Sequence, residues 1–385
     1  MAWLGCINIL QDKNEQSVAQ PVSNKDSLRE LDSMEPAWQS IVGPLSLPMQ
    51  DFAWVRASAL SIHKNDRMKI VSWADRKGVG AVAPLVQDKR GIFGALELIG
   101  VECLNEPMDL IYRDHQALEG LTSALASMRH TFVFRRIPAE SATVGVLKRA
   151  FRKKGIIVCR PDIAYPFITL DESWCVPERK LSKRRASDIR RARRHAEALG
   201  EVRSEVITPK PNELSQAISM AMEIEQCSWK GRAGTSLLRD PKRAAFYEEY
   251  AKSECIRGRL KIAYLYLGTR AVAMQIAVEY QDRFWLLKIG YNDEYAKCSP
   301  GILLLAETIR YAAERGLKSY EFLGEPALWI SAWTNRENQC ITLRVYPYTM
   351  LGMIGLGRDS IMAGLRKLTN FFVQSKYSEG DGNKD

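Results

Sequence analysis

The chain has 385 residues, room for two or three domains, and its 46% hydrophobic and 26% charged content excludes a disordered, collagen-like or low-complexity protein. The net charge of +10 points to a polyanionic partner until it is located: nine basic residues between Arg179 and Arg194 face one acid, Asp188, and supply eight of the ten charges. No uncharged stretch reaches the ~18 to 20 apolar residues that span a bilayer, so no transmembrane segment is expected.

The first residues, Met1 to Gln11, lack the basic start and small-residue cleavage site of a signal peptide. Eight scattered cysteines without a CxxC pair read as thiols of a reducing compartment, and a cytoplasmic location is expected. Residues 1–35 read as a flexible lead-in, polar and without sustained periodicity from residue 11 onward. An N-terminal half follows over 36–170. Its pattern predicts a helix over Phe52–His63, a hairpin of Met68–Ala74 with Gly80–Val86, and a short strand over Leu96–Gly100. Next come a helix over Leu118–Met128, a strand over Thr131–Ile137, a helix over Ala142–Lys154 and a strand over Ile156–Cys159. The loose dinucleotide-like pattern Gly78-Val79-Gly80-Ala81-Val82-Ala83 runs into Pro84 and a β-like stretch where that motif needs a helix, so it reads as a turn entering a strand.

Residues 171–200 form a connecting segment whose Leu181, Ile189, Ala192, Ala196 and Leu199 share one helical stripe, making the charged stretch a basic amphipathic helix. A single such helix is not a basic face across the protein, and duplex nucleic acid is not expected as a partner. The second half, 201–350, repeats the αβ grammar. Helices are predicted over Pro211–Gln226 and Lys242–Gly258, then strands over Leu260–Leu267, Ala271–Tyr280 and Arg283–Tyr291. A helix over Gly301–Arg315 and strands over Lys318–Leu323 and Cys340–Tyr346 complete it. Residues 351–385 read as a C-terminal helix and disordered tail, with Ile361, Leu365, Leu368 and Phe372 at helical spacing.

None of the four histidines, His63, His115, His130 and His195, stands at HxxxH or HxH spacing, and no metal is expected. There is no GxSxG elbow and no GxxxxGK[ST] phosphate loop. Three antiparallel runs, a loop over Asn292–Pro300, a helix from Gly301 and a strand, KSYEFLGE, resemble the core of the GNAT acyltransferase fold. The words FWLLKIGYNDEYAKCSPGILLLAETIRYAAERGLKSYEFLGEPALWISAWT and SWKGRAGTSLLRDP are similar to the CelD-like branch, associated with bacterial cellulose and exopolysaccharide synthesis and related to the Fem peptidyltransferases.

The resemblance implies an α/β protein of two GNAT-like halves, each a mixed, mostly antiparallel sheet flanked by helices. It implies acyl-CoA, commonly acetyl-CoA, as co-substrate, and transfer to an amine or hydroxyl of a sugar, glycan or cell-envelope precursor. Fem relatives use aminoacyl-tRNA on the same architecture, which gives a second enzyme reading, and a non-catalytic accessory protein of polysaccharide synthesis is a third. The usual coenzyme A loop, [QR]xxGx[GA], is here Cys298-Ser299-Pro300-Gly301-Ile302-Leu303, keeping the central glycine. After Glu325 the chain reads Pro-Ala-Leu-Trp329, without the Lys or Arg that many CelD-like sequences carry there.

A helix start favours phosphate through unpaired N–H groups and the macrodipole, so Ser299, Pro300, Gly301 and Ile302 either cradle the donor or simply begin a packed helix. Without usable histidines, base and acid fall to polar residues near strand ends: Glu279, Tyr291, Tyr320 and Glu325. Trp229, Lys230 and Arg232 join an aromatic to two cations in a Gly-bearing loop, suited to a nucleotide or sugar, or else to capping the core and facing solvent. If Gln281 and Asp282 form a hairpin turn, Glu279 pairs with Phe284, Ala277 with Leu286 and Gln275 with Lys288. That register sets Gln275, Glu279 and Lys288 on one face, either wet or the wall of a substrate pocket. The acceptor and the oligomeric state are not legible in these residues.

Overall fold

Strands of the N-terminal half are β1 (Ile9–Leu10), β2 (Met68–Asp75), β3 (Gly78–Gln87), β4 (Leu96–Leu98), β5 (Ile111–Tyr112), β6 (Phe132–Pro138) and β7 (Gly155–Thr169). Those of the C-terminal half are β8 (Val202–Ile207), β9 (Leu260–Leu267), β10 (Arg270–Tyr280), β11 (Arg283–Tyr291), β12 (Ser319–Glu321) and β13 (Glu337–Pro347). The computed structural model describes residues 9–10, 24–87, 94–362 and 364. One 13-stranded sheet runs β1-β2-β3-β4-β6-β13-β7-β12-β11-β10-β9-β8, with β5 paired to β3. Most pairs are antiparallel; β1/β2, β4/β6 and β11/β12 are parallel.

The helices are α1 (Asn24–Ser33), α2 (Glu35–Ile41), α3 (Phe52–Leu60), α4 (Val101–Leu104), α5 (His115–Ser127) and α6 (Ala142–Phe151). They continue with α7 (Lys183–Glu197), α8 (Leu214–Gln226), α9 (Trp229–Arg232), α10 (Pro241–Ile256) and α11 (Pro300–Glu314), and a last helix covers 350–362. Two expectations need correcting. The lead-in contains α1, whose Leu31 is fully buried and whose Asp32 pairs with Arg56 at 2.8 Å; apolar Leu28, Leu31 and Met34 supply the helical spacing. The final strand, β13, lies between β6 and β7 in the sheet of the N-terminal half. The expected tail and Leu365, Leu368 and Phe372 lie outside the described residues.

The two halves share one core. Trp54 of α3 meets Phe246 and Tyr250 of α10 edge-on, with ring centroids 4.7 and 5.0 Å away. Such pairs add ~0.5–1.5 kcal/mol beyond area burial. Beside them Asp51 accepts the Ala53 N–H that starts α3 and pairs with Arg257 at 2.6 Å and Arg259 at 3.2 Å. In the C-terminal half the sheet is covered on both faces: α8 covers the Met274, Ile276 and Val278 face with α10 beside it against β9, whereas α11 covers the Ala273, Ala277 and Phe284 face with α7 beside it against β8.

Because β13 is flanked by β6 and β7, its interior side chains stabilise both halves. Leu343→Ala, at a fully buried position, should cost about 2–5 kcal/mol. Near-ultraviolet and far-ultraviolet dichroism should shift together in one unfolding transition; two separated transitions would show that the halves are autonomous.

Candidate active site

Strands β11 and β12 pair over only three positions, Arg283↔Ser319, Phe284↔Tyr320 and Trp285↔Glu321. Beyond them a bulge interrupts β11, since Ala277 opposes Leu286 but Ile276 opposes Lys288, leaving Leu287 as the extra residue. After β12 the backbone turns off through left-handed Leu323 (φ 55°) and Gly324 (φ 57°). A cavity of about 250 Å³ lies against the parting, and Trp329 lines both it and a second cavity of about 390 Å³.

The larger cavity lies on the α7/α11 side, where Arg185, His195 and Arg191, the last paired with Asp188 of the same lining at 3.0 Å, stand with Lys297, Ser299 and Ile302. Ser299 is left-handed (φ 44°) and makes no side-chain cap, so α11 begins abruptly at Pro300. Pro300 has no N–H, and those of Ile302 and Leu303 donate to the Ser299 carbonyl at 3.0 and 3.2 Å. Among the described residues the Gly301 amide has no backbone acceptor, which leaves one free N–H at the positive end of the helix. Most of the positive charge here comes from side chains. Arg193 is spent elsewhere, bridging to Glu307 at 2.6 Å and fixing α7 against α11. A Cβ on Gly301 would lie 3.3 Å from the Tyr291 ring, so this glycine lets the aromatic pack against the helix start.

The smaller cavity, on the α8/α10 side, gathers Glu106, Lys230, Arg243, Lys288 and Glu325 around the Leu286–Ile289 backbone. Glu106 comes from the N-terminal half, just after α4. It accepts the Gly324 N–H at 3.3 Å, and burial, only partly offset by nearby Arg136, pushes its carboxyl up to about 7. Arg136, itself buried and left-handed (φ 49°), donates to the carbonyls of Asn105 and, at 2.9 Å, Gly324, tying together the two loops that carry the carboxylates. Lys230 Nζ donates to Glu225 at 3.1 Å and to the Ile289 carbonyl at 2.6 Å. Lys288 extends over the Tyr247 ring, 5.2 Å from its centroid, and burial lowers its ammonium to about 8.

Of the residues singled out from sequence, Lys230, Lys288 and Glu325 line the smaller cavity, and Ser299 and Ile302 the larger. Pro300 and Gly301 are buried at the helix start beside Tyr291. The others line neither of these two cavities. Glu279 sits at the hairpin end of β10, hydrogen-bonded by Tyr311 at 2.8 Å and paired with Lys261 and Arg315, both at 3.5 Å. Tyr320 is a core phenol stacked 4.8 Å from Phe284 and bonded to Thr308 at 3.0 Å and Gln275 at 3.2 Å. Trp229 is 54% exposed and Arg232 pairs with Asp293, and neither lines either of these two cavities. The bulge also corrects the hairpin count: Gln275 opposes Ile289 and faces α11, whereas Lys288 faces α10. Sequence reasoning missed Glu106 and Arg243. Arg243 had a signal, because Lys242 and Arg243 stand in the first turn of α10, where cations oppose the helix dipole.

Residues 182–329 match the acetyltransferase (GNAT) domain family, a segment running from the start of α7 to Trp329. No curated protein matches the chain. The C-terminal DUF2156 domain of an Agrobacterium fabrum protein named as a lysylphosphatidylglycerol synthetase is 10% identical, covering 88% of this chain and 96% of its own with a TM-score of 0.53. A conserved Bacteroides thetaiotaomicron protein of unknown function is 10% identical over 85% of this chain and 98% of its own, with a TM-score of 0.51. FemX is 11% identical over 85% of this chain and 96% of its own, with a TM-score of 0.49. The matched segment is GNAT-type, and the mixed α/β fold, a large, mostly antiparallel sheet flanked by helices, is as the resemblance implied.

The raised Glu106 carboxyl gives stability a defined pH dependence. Below the ordinary value of 4.5 the group is protonated folded or unfolded; as pH rises toward about 7 the unfolded chain ionises first, so the fold loses stability, and the deficit is complete above 7. Glu106→Gln removes that deficit. It should raise the melting temperature clearly at pH 8 and little at pH 4.5, and an equal change at both would refute the assignment.

Proposed function

We propose that the protein transfers an acyl group from acyl-CoA, acetyl-CoA in the simplest case, to an amine or hydroxyl. The observation that supports this most is that Trp329 is shared by a cavity lined by Arg185, Arg191 and Lys297 and one that holds a buried carboxyl poised near neutrality. The donor's phosphates are assigned to Arg185, Arg191 and Lys297 and the start of α11; Ile189, Ile302 and Trp333 offer apolar surface to the rest of the donor. The donor supplies an activated thioester: the nucleophile bonds to its carbonyl carbon, the C–S bond breaks, and the thiolate takes up a proton. Glu106 receives the proton of the nucleophile, a role suited to a carboxyl about half ionised at pH 7. Glu325 is the second carboxylate of that cavity, and Tyr291, against Gly301, is assigned as the acid for the thiolate. Glu279 and Tyr320 carry no role here, being committed to an ion cluster and to the core.

The CelD-like words in 260–334 support a sugar or cell-envelope precursor, such as one for exopolysaccharide, as acceptor. Use of acyl-CoA would set the reaction in the cytoplasm; no helix among the described residues is long and apolar enough to cross a membrane.

Two measurements test the proposal. Replacing Arg185, Arg191 and Lys297 together with Gln should weaken coenzyme A binding in calorimetry at least tenfold; unchanged affinity places the donor elsewhere. In turnover assays by thiol release, wild-type kcat should rise with an apparent pKa near 7, and Glu106→Gln should lower kcat about 10²–10⁴-fold and abolish that rise. A pH profile identical in the variant would exclude Glu106 as the base.

A further inference from the structure

The three cations of the smaller cavity are not equivalent. Lys230 is neutralised by Glu225, which is fully buried and bonds it at 3.1 Å. Arg243 and Lys288 have no such partner. The nearest carboxylate to Arg243 is Asp240, 4.0 Å away on its own helix, and its Nε is buried with no acceptor among the described residues. Lys288 meets the face of Tyr247, and no carboxylate across the cavity comes within ion-pairing distance of it among the described residues. Glu106, on the opposite wall, directs an oxygen to the Gly324 amide. Two cations from separate elements, α10 and β11, therefore converge on one cavity that Glu106 and Glu325 also line, yet among the described residues no carboxylate lies closer than 4.0 Å to either, although a poorly paired enclosed charge is costly and Arg243 also opposes the dipole of its helix.

We infer that the acceptor carries a carboxylate or phosphate, which Arg243 and Lys288 bind while its nucleophile faces Glu106. The guanidinium fork of Arg243 suits either group by paired hydrogen bonds, and Lys288 adds a point charge beside it. The nucleophile's role rests on the transferase reading above; the selection for an anion does not. The ammonium of Lys288, lowered to about 8, is still charged at neutral pH and is driven further toward the charged form by an anion.

The test is calorimetric titration with matched amines, glucosamine against glucosamine 6-phosphate and glucosamine against muramic acid, with inorganic phosphate as the bare anion. At least one charged amine should bind ten times more tightly than glucosamine and be displaced by phosphate; which one distinguishes phosphate from carboxylate. Arg243→Met and Lys288→Met should each erase the preference, and Arg243→Lys should restore part of it, with melting curves verifying the fold. Equal affinity within both pairs, a preference surviving both Met variants, or no binding of phosphate or either charged amine overturns the proposal. Coenzyme A titrated into the same samples keeps the two readings apart: its failure to bind defeats the transferase assignment and leaves the anion result standing.

Discussion

Everything at this site depends on a parallel strand pair that is not allowed to continue. After three residue pairs β11 and β12 separate, and backbone groups that a longer ladder would have satisfied need other partners. Lys230 and Glu106, which line the cavity, and Arg136, which does not, meet this need. Lys230 donates to the Ile289 carbonyl, Glu106 accepts the Gly324 N–H, and Arg136 donates to the Gly324 carbonyl. The polar chemistry of the cleft is thus the repair of a broken sheet, which explains why charged groups persist where a core would place apolar ones. Lys230 is itself balanced by Glu225, held close because Gly290 has no side chain: a Cβ there would fall 2.9 Å from the Glu225 backbone.

The same parting makes the two halves one functional unit. The GNAT-type match covers 182–329, yet Glu106 and Arg136 both enter from the N-terminal half. Strand β7 pairs along most of its length with β13 and then pairs with β12 from Phe167, so a single strand joins the two halves of the sheet. Asp51, with Arg257 and Arg259, and Trp54, against Phe246 and Tyr250, close the contact away from the cleft.

How much of this could be read beforehand depended on whether the controlling interaction was local. The hairpins β2/β3 and β9/β10 and the helix from Pro300 were legible because alternation and turn chemistry act within a few residues. Strand β7 was foreseen only over Ile156–Cys159, because Pro161 and Pro166 argue against a central strand; Pro166 is tolerated where β7 passes from one neighbour to the next. Strand β8 was missed, its Val202–Ile207 run being only half buried at a sheet edge. The position of Lys288 was misjudged by one residue of bulge, enough to move a side chain to the other face. Glu106 had no local signal at all, since only tertiary packing brings it to Gly324.

The place of β13 in the sheet bears on how the chain is made. Synthesis delivers β6 and β7 long before Glu337 to Pro347 leaves the ribosome, and until then the two strands that will flank β13 face each other across a missing neighbour. The N-terminal half cannot complete its sheet before β13 is made, and for about 170 residues of elongation it holds two unpaired strand edges of the kind that invite mispairing between nascent chains. Sequence separation, more than stability, is therefore what this architecture asks the cell to manage, and β13 is the last piece on which completion waits.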